Sequence, residues 1–190
     1  MTSRGQHKRI RPYSLNNFKV LFVDDFPFIA DMSAMMLSAM GVGRVVTASS
    51  GKQAQERLAQ LNAHRGSENI DMVVSDWMMP GGSGHELLRW IRAQPQDTIR
   101  FLPIIICTAS ASREMVELSR DGGATEVLVK PVSAEKIAER LIYLIDRPRP
   151  FLKTQSFFGP DRRRRLVPSK EGERRLNNPQ NVKVHHESAA

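Results

Sequence analysis

Between Phe18 and Arg147, short apolar runs alternate with segments of helical period, the pattern of a parallel sheet covered by helices on both faces. The runs predict five strands, at residues 20–23, 44–48, 72–75, 104–108 and 127–129. In the first intervening helix, Phe28, Ile29, Met32, Met35, Met36 and Met40 share a face and are expected in the core. Ile137, Leu141, Leu144 and Ile145 do the same in the last helix. Ser49-Ser50, Ser83, Ser112 and Ser133 stand where a side-chain oxygen can cap a helix start. After about Ile145 the prolines of Arg-Pro-Arg-Pro-Phe and the loss of apolar period predict that the domain ends, leaving a polar, disordered tail. A longer segment near 62–69 reads as a surface loop.

Charge divides the chain the same way. Residues 1–19 hold five Lys/Arg and no acid, residues 20–146 hold 12 against 16 acids, and residues 147–190 hold 11 against four. An acidic domain thus carries two basic extensions, and anions are expected at the extensions. No apolar run approaches the roughly 20 residues of a membrane span, and no secretory signal opens the chain, so a cytoplasmic protein is expected. The single cysteine, Cys107, lies inside an apolar run and reads as a core side chain.

In an open parallel sheet, functional groups gather beyond the carboxyl ends of the strands. Here those ends carry Asp24-Asp25, Asp76, Thr108 and Lys130-Pro131. Gathered carboxylates repel one another, and a hard divalent cation removes that cost; Mg²⁺ suits a site with few carboxylates and several waters. Asp25 and Asp76 are expected to bind it directly, with Asp24 close by or acting through water. Beside the metal, Asp76 can act as nucleophile toward a phosphoryl donor, with Lys130 and Thr108 meeting the incoming charge. Each residue alone has a plainer role as cap, solvated cation or strand residue; their order at successive functional strand ends is what argues for the site.

Phe-Val-Asp-Asp, Asp-Trp-Met-Met-Pro-Gly-Gly-Ser-Gly, Cys-Thr-Ala-Ser and Val-Lys-Pro resemble the signature blocks of the CheY-like receiver family of response regulators, over about residues 18–146. The resemblance implies a flavodoxin-like, doubly wound, five-stranded parallel sheet of order 2-1-3-4-5, Mg²⁺ dependence, and phosphoryl transfer to Asp76 from a histidine kinase. It also implies the main-chain carbonyl of Met78 as a third protein ligand, and a Lys130-Pro131 bond that is commonly cis. Catalysis beyond the protein's own phosphorylation and dephosphorylation is not expected. Val127 departs from the family, which usually has Phe or Tyr three residues before the lysine. The aromatic swing that accompanies phosphorylation in the family is therefore not available here.

The tail sets Arg147, Arg149, Lys153 and Arg162, Arg163, Arg164 and Arg165 around Phe151, Phe157 and Phe158, with Asp161 opening the arginine run. Arginine clasps phosphate or a guanine edge and stacks on bases, and an aspartate can accept from guanine N–H groups. A small anionic guanine nucleotide fits this set; so does a polyanion held without specificity. The segment resembles that of the Cle group of CheY-like proteins, which implies binding of cyclic di-GMP and action at the flagellar motor switch, with possible recruitment to the flagellar pole. Under that resemblance Arg147, Arg149, Asp161 and Arg162–Arg165 are the ligand contacts. The chain then divides into a basic arm (1–17), the receiver (18–146), the ligand-binding segment (147–167) and a disordered end (168–190). Two other readings stay open: a stand-alone phospho-receiver or relay with an incidental tail, and a nucleic-acid-binding regulator using both basic ends. No DNA-binding helix pair is present in the sequence pattern.

Overall fold

Strands β1 (Lys19–Val23), β2 (Arg44–Ala48), β3 (Met72–Asp76), β4 (Ile104–Thr108) and β5 (Glu126–Val129) pair in parallel in the order β2-β1-β3-β4-β5. This computed structural model describes residues 15–80, 82–155, 157–161 and, for the backbone, 183–185. The strands are apolar on both sides because helices cover both faces. Alternate residues Leu21, Val23, Val73, Ile104 and Ile106 pack with α2 (Gly51–Leu61), α3 (Gly84–Ala93) and α4 (Asp97–Arg100). Val20, Phe22, Met72, Val74, Ile105 and Cys107 pack on the other side with α1 (Pro27–Ala39) and α6 (Ala134–Asp146). Between β4 and β5, α5 (Arg113–Asp121) buries only Ser119. Ser50, Ser83, Ser112 and Ser133 each accept a backbone N–H at their helix starts, and Ser83 completes a capping box with Glu86. The expected surface loop is clipped at its base by Asn62, which is 1% exposed and bonds to both backbone groups of Ile70 and to the carbonyl of Thr98.

Three expectations are corrected. The methionine face of α1 is not core: Phe28 is 74% and Met35 73% exposed, and Ile29, Met32 and Met40 are also exposed. The helix instead seats Ala30 and Leu37 on the sheet. It is apolar on two sides, and the side carrying Ala30 and Leu37 lies against the sheet, which leaves Phe28 and Met35 outward. The domain also begins earlier than residue 18, because Leu15 is buried beside Val20 and Val42.

The third correction concerns the residues after Asp146. Antiparallel β6 (Phe151–Lys153) and β7 (Phe158–Pro160) form a hairpin, and β8 (Lys183–His185) pairs with β6 on its other edge. Phe151 and Phe158 pack around Phe101, with ring centroids 5.0 and 5.2 Å from it. Arg92 and Arg100 lie over these rings, Arg92 5.0 Å from the centroid of Phe151 and Arg100 5.4 Å from that of Phe158. Prolines end the helical chain but do not prevent a short hairpin, and the phenylalanines supply its apolar anchor. Phe101 precedes β4 and Gly123 precedes β5, so the hairpin sits at the amino edge of the sheet. There a Cβ on Gly159 would come within 2.9 Å of the Gly123 Cα, so β7 can approach this turn only with glycine. The remaining tail, residues 162–182 and 186–190, lies outside the described residues, as does the arm before Leu15.

Phe151→Ala should lower the unfolding free energy by about 3 kcal/mol in urea titrations, the usual cost of emptying a buried phenylalanine site. Cys107 is buried and its thiol is pushed up to about 12, chiefly by desolvation. It should resist thiol reagents at pH 8 until the protein is unfolded, as read by the rate of labelling.

Candidate functional site: an acidic cluster at the carboxyl edge

The register that pairs Val23 with Ser75 and Asp76 with Cys107 brings the ends of β1, β3 and β4 level. Asp24, Asp25 and Asp76 consequently present carboxylate oxygens that all lie within 4.8 Å of one another. The Lys130 ammonium, arriving from the end of β5 on a cis Lys130–Pro131 bond, is 2.9 Å from Asp76 Oδ2 and 3.2 Å from Asp24 Oδ2. Burial works against this ammonium, but the hydrogen bond to Asp76 and the charges of Asp76 and Asp24 outweigh burial and raise its pKa. It is therefore a fixed cation.

The remaining contacts orient the acids. Asp76 Oδ1 accepts the Trp77 N–H at 2.7 Å, and Asp24 Oδ1 accepts the Phe26 N–H at 3.0 Å. Asp25 Oδ1 is buried with no hydrogen-bond partner. Thr108 is 2% exposed, and its Oγ1 accepts the Ser110 N–H at 3.2 Å. Gly84 is required by close approach, since a Cβ there would lie 2.0 Å from the Asp76 carbonyl oxygen. Its absence lets α3 start directly beneath the acidic strand end.

Three carboxylates beside one ammonium leave excess negative charge, and a buried carboxylate oxygen without a donor calls for a cation. The all-oxygen donor set fits Mg²⁺, held by Asp24, Asp25 and Asp76. When bound, the ion lowers the electrostatic barrier to an approaching phosphate. Lys130 is placed against the Asp76 carboxylate, and Thr108 has a hydroxyl at the adjoining strand end. Met78 follows Asp76 by two residues with its side chain exposed.

Tail residues behave differently. Arg149 reaches back to Glu126 of β5, with N and O 4.0 Å apart, and the Arg147 guanidinium lies over Tyr143 at 5.3 Å. The Asp161 N–H donates to the Pro150 carbonyl at 2.8 Å. Arg147, Arg149 and Asp161 are thus gathered at the base of the hairpin, whereas Arg162–Arg165 lie outside the described residues.

Two participants escaped sequence reasoning. Arg92 is buried in α3 and donates from Nε to Gly123 and from Nη1 to the carbonyls of Arg100 and Leu102. A charged residue on the apolar stripe of Leu88 and Ile91 was its available signal. His85 packs against Trp77, with ring centroids 5.1 Å apart, and nothing in its spacing announced that contact.

An open parallel sheet whose carboxyl edge joins three aspartates, a buried threonine and a lysine defines a phosphoryl-accepting signalling domain. The family model for the response regulator receiver domain matches residues 20–142, and the chain belongs to that family. The chemotaxis protein CheY of Pseudomonas aeruginosa is 32% identical over 129 residues, covering 68% of this chain and 97% of that protein. Vibrio cholerae CheY-3 is 32% identical over 131 residues, with 69% and 94% covered. The solved structure of the chemotaxis response regulator CheY4 of Vibrio cholerae aligns with a TM-score of 0.57 at 31% identity, covering 67% of this chain and 98% of that one. Among the described residues no helix is long and apolar enough to cross a membrane.

Mg²⁺ should change Trp77 fluorescence saturably in a Trp90→Phe background, because Trp77 follows Asp76 and its main-chain N–H donates to that carboxylate. Chelation should reverse the change, and Asp25→Asn should weaken the response at least tenfold.

Proposed function

We propose that this chain is a response regulator that takes a phosphoryl group on Asp76 from the phosphohistidine of a histidine kinase. The observation that carries the reading is the convergence of Asp24, Asp25, Asp76 and Lys130 within hydrogen-bonding or metal-ligating reach. An Asp76 carboxylate oxygen attacks phosphorus, the phosphorus–nitrogen bond to the histidine breaks, and Lys130 stays on the phosphoryl oxygens as charge develops. Asp24, Asp25, Asp76 and the main-chain carbonyl of Met78 are the proposed metal ligands. The exposed apolar face of α1, with Phe26 beside the acids, suits the helices of the donor protein.

The output is proposed to run through the basic tail. Arg147, Arg149, Asp161 and Arg162–Arg165 bind cyclic di-GMP, whose phosphates and guanine edges match arginine forks and a carboxylate acceptor. The gathering of the first three at the hairpin base, where the arginine run begins, supports this set. Ligand contacts to the arginine run present a new surface to the flagellar motor switch. Similarity to chemotaxis proteins favours the motor as the target, in the cytoplasm at the flagellar pole. Val127 packs half-buried under α5 where an aromatic switch would stand, which favours a tail-driven output over one driven by ring movement.

Acetyl phosphate with Mg²⁺ should shift the native protein on a phosphate-affinity gel and leave Asp76→Asn unshifted. Calorimetry at near-physiological salt should give selective binding of cyclic di-GMP over GTP, lost when Arg162–Arg165 are all changed to alanine. Equal binding of unrelated polyanions, falling steeply with salt, would instead favour nucleic acid as the target.

A further inference from the structure

Along α1 the outward residues Phe28, Met32, Met35 and Ala39 follow one another at steps of four, three and four, the spacing of a coiled-coil seam. Phe28 is 74%, Met35 73% and Met32 44% exposed, and Ala39 is exposed beside them. The fold itself does not use this stripe, because Ala30 and Leu37 on the opposite side already seat the helix on the sheet. With Phe26, Ile29 and Met40, all at least 36% exposed, the face offers on the order of 600 Å² of apolar surface, the upper end of what a free protein leaves bare.

We infer that α1 pairs in the reverse direction with the α1 of a second copy of this chain, forming a two-fold dimer. The seam is complementary to itself only in that direction. Turned about an axis between Ser33 and Ala34, it sets Phe28 opposite the Ala39 of the second copy and Met32 opposite its Met35. The bulkiest side chain of the stripe then meets the smallest, and two flexible thioethers fill the middle. The flanks match as well. Ile29 meets the Met36 of the second copy on one side, and on the other Asp31 lies by the hydroxyl of its Ser38, which can donate to the carboxylate.

Charge and area agree with this occupant. Asp31 is the only charge among the 13 residues of α1, so the reversed pairing forces no like charges together. A same-direction pairing would stack Phe28 on Phe28 and set the two acidic clusters side by side, since Asp24 and Asp25 lie just before the helix. Opposed helices also set their dipoles head to tail. Two such faces together bury about 1,200 Å², the size at which specific protein–protein interfaces begin. Pairing hides the face proposed above for the phosphohistidine donor, so the dimer is the form such a donor does not reach. That consequence rests on the donor reading of α1, whereas the pairing does not.

The test is sedimentation equilibrium of the full chain, native and Met35→Glu, from micromolar to millimolar concentration. Met35 is exposed in the single chain, so the variant keeps the fold, and its thermal unfolding at low concentration should match the native. The native chain should approach the mass of two chains at the upper end. Met35→Glu should raise the dissociation constant at least tenfold, because the seam would bury an unpaired carboxylate. Direction is read by disulfide cross-linking. Phe28→Cys mixed with Ala39→Cys should link, and Phe28→Cys alone should not, since its two copies lie eleven residues, about 16 Å, apart along the reversed seam. Cys107 is buried and stays out of the reaction. A native chain that remains monomeric at millimolar concentration overturns the pairing and leaves the face to the donor's helices. A dimer that Met35→Glu leaves intact, or that salt disperses, lies on another surface and overturns it equally. Self-linking of Phe28→Cys overturns the reversed direction.

Discussion

Three carboxylates held within one hydrogen-bonding neighbourhood, with a single ammonium among them, are the constraint around which this molecule is arranged. Such a cluster is costly in any fold, and here several features of the fold combine to hold it. Strand register brings the acids level, Gly84 lets a helix begin against the Asp76 carbonyl, and Lys130 is delivered from the far edge of the sheet. The negative charge that remains is what calls for a divalent cation, and only with that charge offset can an anionic phosphoryl group approach.

The strands and the acid cluster were legible because each depends on period or on position at a strand end, and both are written locally; the order of the strands came only from the resemblance to receivers. Alternation placed Val20, Phe22 and Val74 on one face and Leu21, Val23 and Val73 on the other. The methionine face of α1 was misread because hydrophobicity marks what can be buried, not what is. Ala30 and Leu37 won that contest by allowing close approach. The hairpin after Asp146 was illegible for another reason. Its stability lies in Phe101, Arg92 and Gly123, which precede the residues they touch, Phe151 for the first two and Gly159 for the third, by 50, 59 and 36 positions.

Arg92 joins these parts. Its Nε and Nη1 tie α3 to the segment before β4 and to the turn before β5, while its π-facing side holds Phe151. Such a residue is neither catalytic nor a simple core member. It makes the β6–β7 hairpin and the receiver one packed unit.

The hairpin docks at the amino edge of the sheet, whereas the aspartates stand at the carboxyl edge, the length of a five-residue strand away, about 16 Å. A protein gripping one end therefore need not displace a ligand at the other. Such an arrangement leaves the two ends of the sheet sterically independent, so that a surface offered at the hairpin and one offered at the aspartates can be occupied at the same moment.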